Sequence, residues 1–257
     1  GLSEYTRSGF ESAARRFNQA DTEVDLTGTH VMITGANSGI GKITALECAK
    51  RQAHVYMILC NNAGCMINER QLVDNEYEVN FATNTLGTYI LTSNFIPILM
   101  NNQPARVFTT SSGGMFMCRL DPDDLNSTKM SSFSGDLVYA QNKRQQVVMM
   151  ERFAQRYPSI FFASWHPGWV DTPAVRTAMP SFYSKMQSRL RTPEQGADTL
   201  VWLCCLKDIA NRFANGEFFQ DRTVVSKHLP LAWTKSSVED DERLMNNLEE
   251  ICKKYSQ

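Results

Sequence analysis

The sequence predicts a single α/β domain built on a doubly wound parallel sheet, and three observations support that prediction. A short apolar strand at residues 30–34 runs directly into a glycine-rich turn and a helix, which is the order of elements that a dinucleotide site requires. Further apolar strand patterns alternate with helical ones as far as Gln220, as in parallel sheets. A chain of 257 residues is also long enough to bury one sizeable core.

The composition excludes several classes of protein. The formal net charge of −1 gives no reason to expect a nucleic-acid partner. No stretch reaches the ~18 to 20 consecutive apolar residues that span a bilayer. The seven cysteines are odd in number and form no CxxC pair, so they predict free thiols and favour an intracellular, cytoplasmic location. The chain begins at Gly1, which leaves open a preceding targeting or anchoring segment and hence membrane association.

The chain divides into an N-terminal extension at residues 1–25, a nucleotide-binding domain at 26–232 and a C-terminal helix at 233–257. We interpret the ragged helical stripe of the extension as a short helix on the outside of the domain. A membrane-surface helix is the alternative, and it would need more lysine and arginine on its polar face. The C-terminal segment has acids at its start and lysines near its end, which is typical of a packing helix.

The glycine-rich turn has the features of a pyrophosphate site. Gly35 allows a sharp turn, Gly39 lets the backbone approach the pyrophosphate, and Gly41 lets the helix pack on the strand. The N–H groups at the start of the helix face the phosphate charge. We therefore expect cofactor contacts from Gly35, Asn37, Ser38, Gly39, Ile40 and Gly41.

A tyrosine and a lysine, Tyr139 and Lys143, lie four residues apart near the start of a long helical pattern. Residues i and i+4 share a helix face. A phenol has a pKa near ~10, so its use as an acid or base at neutral pH needs a shift of ~3 units, part of which a neighbouring ammonium supplies. The same spacing is common on solvated helix faces, so the pair gains weight only from the motifs around it.

Those motifs follow one another along the chain. They are the glycine turn at residues 34–41, Asn61-Asn62-Ala63-Gly64, Asn84, Ser111-Ser112, Tyr139 with Lys143, and His166-Pro167-Gly168 followed by Thr172. In this order the set resembles the short-chain dehydrogenase/reductase family over about residues 26–225. The resemblance implies a Rossmann-like fold and an NAD(P)-dependent oxidoreductase that transfers a hydride between the nicotinamide and an alcohol or carbonyl carbon.

The resemblance also gives each motif a role. Tyr139 would move the proton, Lys143 would lower the pKa of Tyr139 and hold the nicotinamide ribose, Ser112 would hold the substrate oxygen, and Asn84 would join the proton relay. Further cofactor contacts would come from Asn62, Ala63, Gly64, Tyr139, Lys143, Pro167, Gly168 and Thr172. Family members pair through the helices that bear Asn84 and Tyr139, which implies a homodimer or tetramer. The four histidines are scattered, so we expect no metal site and interpret His166 as structural.

The spacing of two motifs departs from the family pattern. Only nineteen residues separate Gly41 from Asn61, which is room for one helix and one strand, whereas this half of the fold needs two crossovers. We expect that about one βα-β unit or more is missing between residues 58 and 61. The acidic or basic residue that would select NAD or NADP then has no counterpart in residues 57–60, and Ser38 is not basic. Cofactor preference is unreadable, and a catalytically impaired splice form or pseudo-enzyme with a binding or regulatory role is the alternative function.

Four other stretches carry predictions. Residues 74–100 read as one long helix, and residues 115–117 either line an apolar substrate pocket or pack their own loop. Residues 174–192 resemble a flexible lid whose apolar face favours an apolar substrate, with an amphipathic surface helix as the alternative. Thr192, Pro193 and Gln195 predict a capped helix start.

Overall fold

The computed structural model describes residues 2–229 and 231–255, apart from the side chains of residues 54–57. The strands are β1 (His30–Ile33), β2 (His54–Asn61), β3 (Leu72–Val73), β4 (Tyr77–Glu78), β5 (Ala105–Thr110), β6 (Ile160–Trp165), β7 (Glu217–Gln220) and β8 (Thr223–Val224). The α-helices are α1 (Arg7–Ala14), α2 (Gly39–Lys50), α3 (Val79–Phe81), α4 (Gly87–Asn101), α5 (Gly135–Arg156), α6 (Pro173–Ala178), α7 (Pro180–Met186), α8 (Pro193–Cys205), α9 (Ile209–Arg212) and α10 (Val238–Lys253). A π-helical segment, Ala82–Leu86, joins α3 to α4.

Six strands form one sheet in the order β1-β2-β5-β6-β7-β8, and every pair except β7–β8 is parallel. The sheet is covered on both faces. Alternate residues of β6 show this division, because Phe162 packs with α4, α5 and α10, while Phe161 and Trp165 pack with α8. The period-2 alternation of a strand thus feeds two separate cores, and the predicted single Rossmann-like α/β domain is confirmed.

The helical crossovers do not all have the same hand. From β1 to β7 each connection steps one strand further in the same direction across the sheet. The helices of the first and last crossovers, α2 and α8, pack against each other on one face, whereas α4 and α5 lie on the other. Two of the four crossovers are therefore left-handed, and parallel βαβ units adopt that hand in only about 2% of cases.

Strand β1 lies at an edge of the sheet. Among the described residues it pairs with β2 alone, whereas a complete doubly wound sheet would continue outward from this strand. The pairing is also irregular, because His30 faces His54 but the next residue, Val31, faces Ile58. The break in register lies immediately before the interval where the sequence predicts a missing unit.

The prediction of one helix over residues 74–100 is wrong at its start. Asp74 and Asn75 both have positive φ, at 54° and 59°, and they form the turn of the β3–β4 hairpin. These two left-handed residues form a tight turn closed by a hydrogen bond from the Glu76 N–H to the Val73 carbonyl at 3.0 Å, and Asp and Asn tolerate that conformation well. The helix begins only at Val79, where the side chain of Glu78 accepts a hydrogen bond from the N–H of Phe81.

The two ends of the chain pack onto the central domain. The C-terminal α10 begins with a capping box formed by Ser237 and Asp240 and buries Leu244 and Leu248 in the core shared with α4 and α5. The N-terminal α1 belongs to a segment that reaches the site described below. Within the described residues, none of the helices combines the length and the apolar character that crossing a membrane would need.

Candidate active site

The glycine turn and the loop after β2 are held together by one hydroxyl. Thr34 Oγ1 accepts hydrogen bonds from the backbone N–H groups of Asn62 and Ala63, at 3.0 and 2.9 Å. The approach is so close that a Cβ on Gly35 would lie 3.0 Å from the Cα of Ala63. A Cβ on Gly41 would run into the Gly35 carbonyl oxygen and Asn62 Nδ2, which is why this helix start admits only glycine.

The backbone N–H groups in the first turn of α2 lie next to the glycine turn and have no partner within the helix. Its N-cap, Ser38, makes no side-chain hydrogen bond to the helix, so the N-terminal N–H groups are available to an anion. Asn37 and Ser38 are exposed there, whereas Ile40 packs against the core under α2 and α8. A Cβ on Gly39 would lie 3.4 Å from Thr172 Cγ2, so the loop after β6 approaches this turn.

Asn84 lies in the π-helical segment and is fully buried. Its Oδ1 accepts from the N–H of Cys65 at 2.9 Å, and its Nδ2 donates to the Cys65 carbonyl and to Asn142 Oδ1. A Cβ on Gly64 would lie 3.1 Å from Asn84 Oδ1 and 3.6 Å from Lys143 Nζ. The loop backbone therefore sits directly between these two side chains, and π-helical turns of this kind are frequent at functional sites.

The two serines after β5 have different surroundings. Ser111 is buried and donates to the backbone carbonyl of Lys143 at 2.8 Å. Ser112 lies beside Tyr139, because a Cβ on Gly114 would lie 3.5 Å from Ser112 Oγ and 4.0 Å from Tyr139 Cδ1, and Ser112 Oγ accepts from the N–H of Gly114 at 3.1 Å. Ser112 is thus the member of the pair that faces the tyrosine.

His166 fixes the turn that carries Ser112. Its Nδ1 accepts from the N–H of Gly113 at 3.1 Å, and burial, with the Arg191 and Lys143 charges, lowers the pKa of His166 to about 3. The imidazole is therefore neutral, and its proton sits on Nε2. This arrangement agrees with the structural role expected for His166.

Tyr139 and Lys143 share one face of α5, with Lys143 Nζ 5.2 Å from the centre of the tyrosine ring. Burial raises the pKa of Tyr139 to about 12, against the opposing effect of the neighbouring Ser112 hydroxyl. Burial also lowers the pKa of Lys143 to about 7. In the chain without cofactor, the pKa of Tyr139 is thus raised and not lowered as the spacing implied, because desolvation disfavours the charged phenolate.

Gln146 links Lys143 to Asn84, and nothing in the sequence analysis singled it out. Lys143 Nζ donates to the Thr110 carbonyl at 2.8 Å and to Gln146 Oε1 at 3.0 Å. Gln146 Nε2 donates in turn to the backbone carbonyl of Asn84 at 2.6 Å. The only signal that could have indicated Gln146 is its position three residues after Lys143, on the same helix face.

The loop at Pro167 and Gly168 is held by Arg191, a second residue that the sequence analysis missed. Arg191 is almost fully buried and forms a bidentate ion pair with Asp221, at 2.6 and 2.9 Å. Its guanidinium also donates to the Pro167 carbonyl at 3.1 Å. A Cβ on Gly168, whose φ is +78°, would run into the same guanidinium.

The residues that precede α1 border this site, although α1 itself, a short helix, buries no side chain. The Arg191 guanidinium donates to the carbonyls of Glu4 and Thr6. The Tyr5 ring packs edge-on against His166, with ring centres 4.6 Å apart. A Cβ on Gly113 would lie 2.9 Å from that ring, so Tyr5 borders the Ser112 turn.

Comparison with known proteins identifies the family. No protein-family profile matches the chain. It is 44% identical to human dehydrogenase/reductase SDR family member 12 over 306 aligned positions, which cover 99% of the chain and 96% of the human protein. The chain belongs to the short-chain dehydrogenase/reductase family. It is accordingly an oxidoreductase of the NAD(P)-dependent class that this family comprises.

Solved structures agree with the short-chain dehydrogenase/reductase fold. An uncharacterized protein from Mycobacterium Paratuberculosis superposes with a TM-score of 0.69 at 20% identity, covering 91% of this chain and 97% of that one. A 7 alpha-hydroxysteroid dehydrogenase complexed with NADH and 7-oxo glycochenodeoxycholic acid superposes with a TM-score of 0.56 at 18% identity, covering 79% and 95%. At these identities the superpositions support the fold alone.

The alignment with the human relative also contains a large internal gap. It runs over 306 positions although the chain has only 257 residues, so at least 49 positions face no residue of this chain. Because 99% of the chain is aligned, those positions fall within it. This agrees with the short spacing between Gly41 and Asn61.

The residues present fit one half of a dinucleotide cofactor. The glycine turn, the uncapped start of α2 and the buried Lys143 beside Tyr139 suit a pyrophosphate and a nicotinamide ribose. The adenosine half does not fit in the same way, because no described strand lies beyond β1 to carry a residue that would bind its ribose.

Proposed function

We propose that this chain transfers a hydride between a nicotinamide cofactor and an alcohol or carbonyl carbon, with Tyr139 as the acid or base. The observation that best supports the proposal is that Ser112, Tyr139 and Lys143 lie together beside the loop that contains Gly64. When bound, the nicotinamide supplies or accepts the hydride. The chain's own residues then hold the substrate oxygen and move one proton.

The reducing direction suits the resting state of the site. Because the pKa of Tyr139 is raised to about 12, its phenol carries a proton at neutral pH and can give it to a carbonyl oxygen. Ser112 accepts from the Gly114 N–H and lies beside the tyrosine, which supports a role for its hydroxyl in holding that oxygen. Lys143, which lies on the same helix face as Tyr139, donates a hydrogen bond to Gln146. Gln146 donates in turn to the backbone carbonyl of Asn84.

The substrate that we propose is apolar. The lid helices α6 and α7 have no buried residue, and their apolar side chains are half-buried on one face. Phe182 of α7 packs edge-on against Trp169, with ring centres 5.2 Å apart, and Trp169 packs against Tyr5 at 5.7 Å. This aromatic row runs from the lid to the Ser112 turn, and it favours a hydrophobic aldehyde or ketone.

The test is the rate at which the purified chain consumes NADH or NADPH with a panel of apolar aldehydes and ketones. Tyr139→Phe removes the proton donor and should lower kcat by about 100-fold or more, while cofactor affinity stays within a few-fold. Full activity of Tyr139→Phe would rule out the assignment. Absence of turnover by the folded wild-type chain would favour the alternative of a pseudo-enzyme.

Tyr157→Phe is the matched control. Tyr157 follows the other end of α5, where its ring packs against Phe153, far from Ser112 along the helix. Its substitution should leave kcat unchanged. Equal losses in the two variants would show that the effect of Tyr139→Phe comes from α5 stability and not from proton transfer.

A further inference from the structure

Within the described residues, no strand lies beyond β1, where the adenosine half of the cofactor would extend. In the doubly wound fold, a strand outside β1 carries the residue that binds the adenosine ribose. Here the chain leaves β1, forms α2, and returns on the inner side as β2. Within residues 2–229 and 231–255, no strand pairs with the outer edge of β1.

The residue at the spacing usual for binding the adenosine ribose makes hydrogen bonds within the protein instead. Counting about 20 residues from the last glycine of the turn leads to Asn61, the last residue of β2, which is 2% exposed. Its Nδ2 donates to Thr92 Oγ1 at 2.9 Å and lies 3.4 Å from Thr109 Oγ1. The side chain therefore points into the sheet and toward α4, and not toward a ribose.

The neighbours of Asn61 are committed as well. Cys60 is buried with its Sγ 3.7 Å from that of Cys204. Asn62 donates from Nδ2 to the Thr34 carbonyl, and its Oδ1 accepts from Thr110 Oγ1. None of these side chains is a carboxylate or a cation, so they cannot distinguish a ribose hydroxyl from a ribose phosphate by charge.

The residues that would contact the nicotinamide half of the cofactor, in contrast, are present. Lys143 is 3% exposed, and its ammonium form keeps one N–H beyond those given to Thr110 and Gln146. The turn glycines Gly35 and Gly39 have φ values of +66° and +51°. This left-handed conformation lets the backbone of the turn approach a phosphate closely. Ser112 and Tyr139 also lie next to each other, because a Cβ on Gly114 would lie 3.5 Å from Ser112 Oγ and 4.0 Å from Tyr139 Cδ1.

We propose that this chain recognises only the nicotinamide, its ribose and the adjoining phosphate, so that reduced nicotinamide mononucleotide is a ligand comparable to NADH and NADPH. This inference rests on the proposed function, because it concerns the same cofactor site. The adenosine of either dinucleotide extends past the edge of β1 into solvent. The adenosine adds little affinity, and the chain does not recognise the 2′-phosphate of NADPH.

The experiment titrates the 257-residue chain with NADH, NADPH and reduced nicotinamide mononucleotide, following tryptophan emission and thermal unfolding together. The three Kd values should agree within about threefold. Lys143→Met should weaken all three by the same factor, because Lys143 lies on the half that they share. A tenfold or greater preference for either dinucleotide over the mononucleotide, or between the dinucleotides, would overturn the inference while leaving the oxidoreductase assignment intact.

Lys42 provides a second variant. It is an exposed cation in the first turn of α2, which makes it a candidate to pair with a 2′-phosphate. Lys42→Ala should leave the ratio of NADPH to NADH affinity unchanged. A wild-type preference for NADPH that disappears in Lys42→Ala would contradict the inference, and a folded chain that binds none of the three ligands would contradict the proposed function itself.

Discussion

Lys143 illustrates how one buried side chain sets a pH dependence. Burial lowers its pKa in the folded chain from 10.5 to about 7. Below about pH 7 both the folded and the unfolded chain carry this proton, so the full cost of burying the charge is present. As the pH rises from about 7 to about 10.5, only the unfolded chain keeps the proton, and the cost declines to zero.

We therefore expect Lys143→Met to change the pH dependence of stability. The free energy of unfolding of the wild type, relative to that of Lys143→Met, should be constant below about pH 7 and should rise steadily above it. Urea denaturation over a series of pH values measures this difference. The exposed Lys50, whose side chain is 70% accessible, is the control, because Lys50→Met should show no such trend; a flat difference for Lys143→Met would show that the lysine is not desolvated.

Other residue-scale features of the site could not be predicted from the sequence. The hydrogen bond from Gln146 to the Asn84 carbonyl joins residues 62 positions apart, and no local pattern indicates it. The sign of the Tyr139 pKa shift depends on burial, which a four-residue spacing does not report. The choice of Ser112 over Ser111, by contrast, was predicted by resemblance, and the structure places Ser112 beside Tyr139.

The contact between β1, α2 and the loop after β2 has no spare room at Gly41. We expect Gly41→Ala to lower the free energy of unfolding by about 1–3 kcal/mol, because the added methyl must displace the Gly35 carbonyl or Asn62. Thermal and urea unfolding measure the loss. Gly114→Ala is the control, because a methyl there would lie 3.5 Å from Ser112 Oγ, an ordinary contact; equal losses in both variants would contradict the steric explanation.

The docking of the N-terminal segment depends on the Arg191–Asp221 pair. We expect Asp221→Asn to destabilise the protein by about 3–5 kcal/mol, because it leaves a buried guanidinium without its counter-charge. Amide hydrogen exchange should speed up at Trp169, whose N–H donates to the Tyr5 carbonyl at 2.8 Å.

An exposed pair of the same type serves as the control for that prediction. Asp171 pairs with Arg176 at the start of the lid, where the arginine side chain is 56% accessible. Asp171→Asn should cost about 1 kcal/mol or less. If Asp221→Asn cost no more than Asp171→Asn, the ion pair would not be what holds the segment.

At the scale of the whole molecule, the sequence predicted what local rules determine. The capping box of α8, with Thr192 and Gln195, is present as expected. The α/β alternation also gave the right sheet, because strand and helix periods are properties of short segments. The β3–β4 hairpin was missed because apolar spacing continued across Asp74 and Asn75, and β8 was missed because two residues carry no period.

What the sequence could not predict is how distant segments meet. The sequence indicated a short outer helix in the extension, but it did not indicate that Tyr5, which precedes this helix, borders the Ser112 turn or that Arg191 binds the carbonyls around it. An isolated arginine between a lid and a helix carries no signal of a partner at Asp221. The short spacing after Gly41, however, correctly indicated that the sheet would stop early on one side.

The crossover from β1 through α2 to β2 has a consequence for longer relatives. A chain with the additional 49 or more positions could run outward past β1 before returning, and the unit containing α2 would then have the opposite hand without α2 moving from its place against α8. Short and long forms would share one half-molecule intact. They would differ in one segment, the one that binds the adenosine. The choice between NAD and NADP would then depend on a part of the fold that can be absent while the rest is kept.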